Sequence, residues 1–96
     1  MPKLVRDRIP EIIAASGKPA QIHVAVGDEY WHLLKAKLRE EADEFIESES
    51  PEELADIAEV LQTIIAYKHF NITELRRQKE VKAQERGAFT AGYVLE

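Results

Sequence analysis

The chain has no cysteine, which removes disulfide frameworks, thiolate metal sites and thiol nucleophiles together. A reducing, cytoplasmic setting is the expectation that goes with such a composition. Glycine and proline number four each, too few for a low-complexity or collagen-like chain. No apolar run approaches the roughly 20 residues that cross a bilayer, and the opening MPKLVRDRIP has charges without the apolar core of a signal peptide. No membrane partner is expected. A last absence is local: between Glu40 and Glu59 there is no lysine or arginine, although the stretch holds ten acidic residues.

What is present is one domain's worth of chain, 96 residues with 45% hydrophobic and 32% charged side chains, read as a single domain over 1–96. The net charge of −5 argues against nucleic acid as a partner, since duplex affinity is built from lysine and arginine on phosphates. Its distribution says more. Lys3, Arg6 and Arg8 lie near the start, and Arg76, Arg77, Lys79, Lys82 and Arg86 near the end, so the chain runs basic, acidic, basic. Ends folded over such a middle would hold a cation and a phosphorylated small molecule together.

The pattern predicts a mainly helical protein. RDRIPEIIAASG reads as a short helix capped by Asp7, with Pro10 in its first turn and Gly17 at its end. AQIHVAV alternates Ile22, Val24 and Val26 and reads as a brief strand without a visible partner. Asp28 would cap a long helix from about Glu29 to Ser48, with Tyr30, Leu34, Leu38, Ala42 and Phe45 on one stripe. Ser50-Pro51-Glu52-Glu53 opens the next helix with cap, first-position proline and capping box; Leu54, Ile57, Leu61, Ile64 and Ile65 form its inward stripe. The short connection predicts an antiparallel hairpin. A last helix is expected after Thr73, ending at Gly87, and the tail AFTAGYVLE is apolar enough to pack against something, another subunit included.

The chemistry-bearing residues sit on the two long helices. Glu41 and Glu44 are three apart on the first, Glu53 and Asp56 three apart on the second, and each pair shares a face. Glu41 falls inside the apolar stripe, and Glu53 and Asp56 flank the stripe of Val60 and Ile64, so the four point toward the interhelical seam. Ionised carboxylates gathered there repel one another and lose hydration, and a divalent cation reverses that balance. Oxygen ligands alone favour Mg2+ or Mn2+, with Ca2+ as a further fit. The plain alternative is a solvated acidic face, and Glu53 has a structural use in the capping box. Glu40 and Asp43 point outward, Glu40 near enough to support the ligands, and Glu59 is a candidate extra ligand. His23, His32 and His69 share no spacing. Tyr30 and Trp31 read as packing residues, though an aromatic near the seam could stack on a base.

Three stretches resemble, in order, the small phosphoribosyl-ATP pyrophosphohydrolase-like proteins of the MazG-like superfamily: KLVRDRIPEII, then LREEADEF followed by EELADIAEV, then KAQERGAF. The resemblance implies an all-α fold and a magnesium-dependent enzyme that cleaves a nucleoside triphosphate between its α and β phosphates, releasing pyrophosphate. A house-cleaning role against non-standard nucleotides goes with it. Glu41, Glu44, Glu53 and Asp56 match the superfamily's metal-binding positions, and a homodimer or higher homo-oligomer would complete the bundle and the site. Glu41 or Glu44 would take the proton of the attacking water. Lys3, Arg6, Lys82 and Arg86 are the candidates for substrate phosphate contacts, Arg6 and Arg86 serving equally well as ion-pair partners that dock the chain ends. Here the connection between the two acidic motifs is shorter than is usual in the superfamily, and the base is not carried across. Two rivals are a non-catalytic helical interaction module and a nucleotide-binding sensor without turnover.

Overall fold

The computed structural model describes residues 2–96 and contains four helices: α1 (Ile9–Ala15), α2 (Gly27–Ser48), α3 (Pro51–Tyr67) and α4 (Ile72–Arg86). There is no strand among the described residues. The expected strand over residues 20–26 is instead an unpaired connection, with Val24 85% and Val26 74% exposed. The physical reason is that alternation alone does not satisfy a strand's backbone groups; a second strand must, and the chain supplies none.

Two compact units divide the chain, residues 1–64 and 65–96. The first contains α1, α2 and all but the last turn of α3. Helix α1 has Pro10 in its first turn and closes over Gly17 (φ +78°), as expected, but Asp7 does not cap it: Arg8 holds the cap position without a side-chain bond. Helix α2 begins one residue before the expected cap. Gly27 takes φ +60°, a left-handed turn out of the extended Val26 that suits glycine, and Asp28 and Glu29 fall in the first turn, where their charge favours the positive helix end. His23 Nε2 meets Glu29 Oε2 at 2.9 Å and ties the incoming connection to that turn.

Only Glu49 and Ser50 separate α2 from α3. Glu49 adopts the left-handed conformation (φ 56°, ψ 25°) and donates its N–H to the Phe45 carbonyl at 2.7 Å. Ser50 Oγ then accepts the Glu52 N–H at 3.2 Å, so the predicted cap forms. The reciprocal half of the capping box does not: the Ser50 N–H turns back to Ser48 Oγ at 3.2 Å, and Glu53 keeps a buried, unpartnered Oε2.

The two helices lie antiparallel, because Tyr30, Leu34 and Glu41 of α2 border the same cleft as Thr63, Val60 and Asp56 of α3, in opposite chain order. The apolar centre is small. Leu34 and Val60 are the buried apolar residues among those described, with Leu38, Ala42 and Phe45 half-buried on the predicted α2 stripe. The α3 stripe needs correction. Ile57, Val60 and Ile64 face inward, whereas Leu54 and Leu61 are 51% and 44% exposed, on a second stripe about 100° around the helix.

The second unit holds the end of α3, a turn with His69 in the left-handed region, and α4. Asn71 Oδ1 accepts the Glu74 N–H at 3.0 Å, so α4 starts before the expected Thr73, and Gly87 (φ +82°) follows its last residue. The tail's Phe89, Tyr93, Val94 and Leu95 are all exposed.

Candidate metal centre

Three of the four predicted ligands converge. Glu41 of α2 and Glu53 and Asp56 of α3 each place one carboxylate oxygen within 4.8 Å of the others. The arrangement follows from helical phase: Glu53 and Asp56 are nearly one turn apart on α3, and the antiparallel α2 brings Glu41 opposite them. Oxygens on a single magnesium ion stand about 3.0 Å apart when adjacent and about 4.2 Å when opposite, given metal–oxygen distances near 2.1 Å, so the three carboxylates must draw together to share one ion.

Burial sharpens the electrostatics. Glu41 is 6% exposed, and its Oε2 and the Oε2 of Glu53 are buried without a hydrogen-bond partner. A buried acceptor left unsatisfied costs about 1–3 kcal/mol, and more when it is charged. Two such oxygens facing a third carboxylate therefore fit a hard cation, by donor type and by what they lack.

Some of the charge is met from within the chain. Lys37, one turn before Glu41 on α2, reaches Glu40 Oε2 at 3.1 Å and Glu41 Oε1 at 3.2 Å. Burial works to lower the Lys37 ammonium, but its hydrogen bonds to Glu40 and then Glu41 prevail and hold it above its ordinary value. Glu40 is the mirror case: burial acts to raise it, and hydrogen bonds from Lys37 and Lys3 leave it below the ordinary value. Lys37 thus occupies Oε1 of Glu41 and leaves its Oε2 bare.

The N-terminal segment supplies the other cations. Lys3 Nζ lies 3.2 Å from Glu40 Oε1, and Arg6 Nη2 donates to Asp56 Oδ1 at 2.6 Å. That hydrogen bond, more than any other influence, raises the Arg6 guanidinium, with Glu59 and Glu41 adding to the negative field around it. Beneath this segment lies an open cleft of about 640 Å³, walled by Leu4, Ile9, Tyr30, Leu34 and Val60 and reaching Glu41, Asp56 and Glu59.

The remaining predicted residues stand elsewhere. Glu44 is exposed and outside the group of three, and the α2 wall of the cleft stops at Glu41. Lys82 and Arg86 are exposed on α4, in the second unit. Lys37 was not among the predicted site residues. Its signal was available in the i, i+3 and i, i+4 spacing to Glu40 and Glu41, just outside the stretch that lacks basic residues.

A curated relative, an uncharacterized protein of Mycolicibacterium smegmatis, is 57% identical over 44 residues, which is 46% of this chain and 45% of the relative's length. No protein-family model matches the chain, and no solved structure matches it.

Proposed function

We propose that the chain is a MazG-like, magnesium-dependent nucleoside triphosphate pyrophosphohydrolase, cleaving between the α and β phosphates. The observation that carries this reading is the meeting of Glu41, Glu53 and Asp56 with two buried, unpartnered oxygens, Glu41 and Asp56 lining a cleft that a basic segment also borders. An acidic floor for a dication and cationic side chains above it are what a polyphosphate needs, because its transfer chemistry is mostly positioning and charge.

Magnesium held by Glu41, Glu53 and Asp56 would supply charge to phosphate oxygens and acidity to a bound water. The chain's own residues do the rest. Lys37 fixes the orientation of Glu41 by holding its Oε1. Of the two residues expected to accept the water's proton, Glu41 borders the cleft, whereas Glu44 is exposed and outside both the cleft and the group of three. Lys3 and Arg6 stand over the cleft where phosphate oxygens would lie, and Leu34, Val60 and Tyr30 give it an apolar wall. Exposed Ile46, Leu54 and Leu61 on the hairpin support a homo-oligomer in which a second copy covers them.

The test is a panel of nucleoside triphosphates incubated with the purified chain and magnesium. Pyrophosphate and a monophosphate are the expected products, absent with Glu41→Gln; orthophosphate would contradict the cleavage position. A second reading draws on the ion pairs that Lys3, Arg6 and Lys37 already make: the acidic seam is then a structural network in a non-catalytic helical module. Under that reading magnesium leaves the melting temperature unchanged. A sensor without turnover would bind magnesium and triphosphate and release nothing.

A further inference from the structure

We infer that Arg6 is a transferable counter-ion, paired with Asp56 when the carboxylate cluster holds no dication and handed to the substrate's phosphate when it does. The inference rests on the metal-site reading above and adds to it an exchange of Arg6 between two partners.

The geometry carries the argument. Arg6 and Asp56 are 50 residues apart in sequence, and their 2.6 Å contact joins the N-terminal segment to α3. The oxygen it occupies belongs to one of the three clustered carboxylates. A neighbouring tether, Lys3 on Glu40, joins the same segment to α2, so the segment bridges the cleft with one cation on each wall. Both pairs are open to water: the Arg6 side chain is 58% exposed and that of Lys3 61%. Pairs of this kind hold weakly and are screened by salt. The buried oxygens of Glu41 and Glu53, by contrast, have no partner that Arg6 or Lys3 supplies.

A dication drawn to those buried oxygens also draws on Asp56, and it carries twice the charge of a guanidinium. Arg6 and the ion therefore compete. Once displaced, the guanidinium is left at the edge of the cleft without its carboxylate, and its planar donors match phosphate oxygens better than an ammonium does.

The exchange makes a prediction of opposite signs from one substitution. In Arg6→Gln, binding of manganese alone, read by calorimetry or by the free-ion electron paramagnetic resonance signal, should tighten about two- to fivefold, the range of an exposed ion pair. Binding of inorganic tripolyphosphate to the manganese-saturated chain should weaken about tenfold or more, as expected for a lost charge-assisted contact. Arg6→Lys should keep manganese affinity near that of the unaltered chain while weakening tripolyphosphate. In the unaltered chain, the Arg6 Nε resonance should move on adding magnesium and move again on adding tripolyphosphate. Manganese affinity that is unchanged or weaker in Arg6→Gln, or an Arg6 resonance indifferent to magnesium, would overturn the exchange and leave the metal site standing. Failure of both the unaltered chain and Arg6→Gln to bind manganese would remove the metal site and the exchange together.

Discussion

Glu41 is the residue on which the molecule's electrostatics turn. It is buried, holds Lys37 with one oxygen and leaves the other bare. Glu41→Gln should therefore cost little stability without divalent ions, since the amide keeps the shape and removes a buried charge facing Glu53 and Asp56. What it should lose is the response to magnesium: a rise in melting temperature for the unaltered chain that falls to near zero in the variant, measured by calorimetry with and without the ion. Lys37→Met tests the other partner. It strips Glu41 of its internal counter-charge and should destabilise by about 2–3 kcal/mol in denaturant titration, below the full figure for a buried pair because Lys37 is 19% exposed. The pH dependence follows from Glu40. Its folded pKa lies below the ordinary 4.5, so its stabilising pairs with Lys37 and Lys3 are fully present above 4.5 and fade as pH falls through the depressed folded value. The Lys37 pairing has its limit at the other extreme, present below the ordinary 10.5 and lost as pH rises through the raised value. Lys3→Gln should accordingly narrow the acid-side loss of stability, followed by circular dichroism between pH 6 and pH 2.

At the scale of elements, the two long helices were legible because apolar spacing, a proline at the first position and a serine cap agree on their limits. Cap chemistry was less legible. A sequence shows which side chains can cap, but whether Asp7 or Asp28 does so depends on backbone angles set by residues outside the helix, here Arg8 in a helical conformation and Gly27 in a left-handed one. The capping box is incomplete because the Ser50 N–H is donated to Ser48 Oγ and not to Glu53. That failure mattered for the site, because it left Glu53 to the carboxylate cluster. The convergence of Glu41, Glu53 and Asp56 could be read from spacing; the separation of Glu44 could not, as it depends on where the cleft wall ends. The left-handed Glu49 is a strained choice in a two-residue connection. Glu49→Gly should stabilise by about 0.5–1 kcal/mol, read in equilibrium unfolding, because glycine takes that conformation without a Cβ clash. Less stability in Glu49→Gly would mean that the flexibility it adds to the unfolded chain outweighs the strain it removes.

For the whole molecule, the telling fact is how few of the described residues are buried: Leu34, Val60 and Glu41, all in the first unit. A core of that size is thin for a chain of this length, and exposed Ile46, Leu54 and Leu61 show where further apolar burial is available. Leu61→Glu should therefore shift the chain toward monomer in sedimentation velocity and lower its melting temperature. If the distribution of species is unchanged, the exposed stripe is not a subunit contact. The resemblance carried by the opening, central and closing motifs predicted the helical class that is found. It left the base and the number of subunits unread, because both depend on surfaces that spacing along one chain does not describe.

The doubled apolar character of α3 has a consequence for how its sequence can drift. With Ile57, Val60 and Ile64 turned one way and Leu54, Ala58 and Leu61 another, the arc left to vary bears Glu52, Ala55, Glu59, Gln62 and Ala66, all exposed. A saturation library across this helix should accept charged substitutions on that arc and reject them at Ile57 and Val60; rejection at Leu61 as well, which faces water in the single chain, would mark the second stripe as covered by another copy.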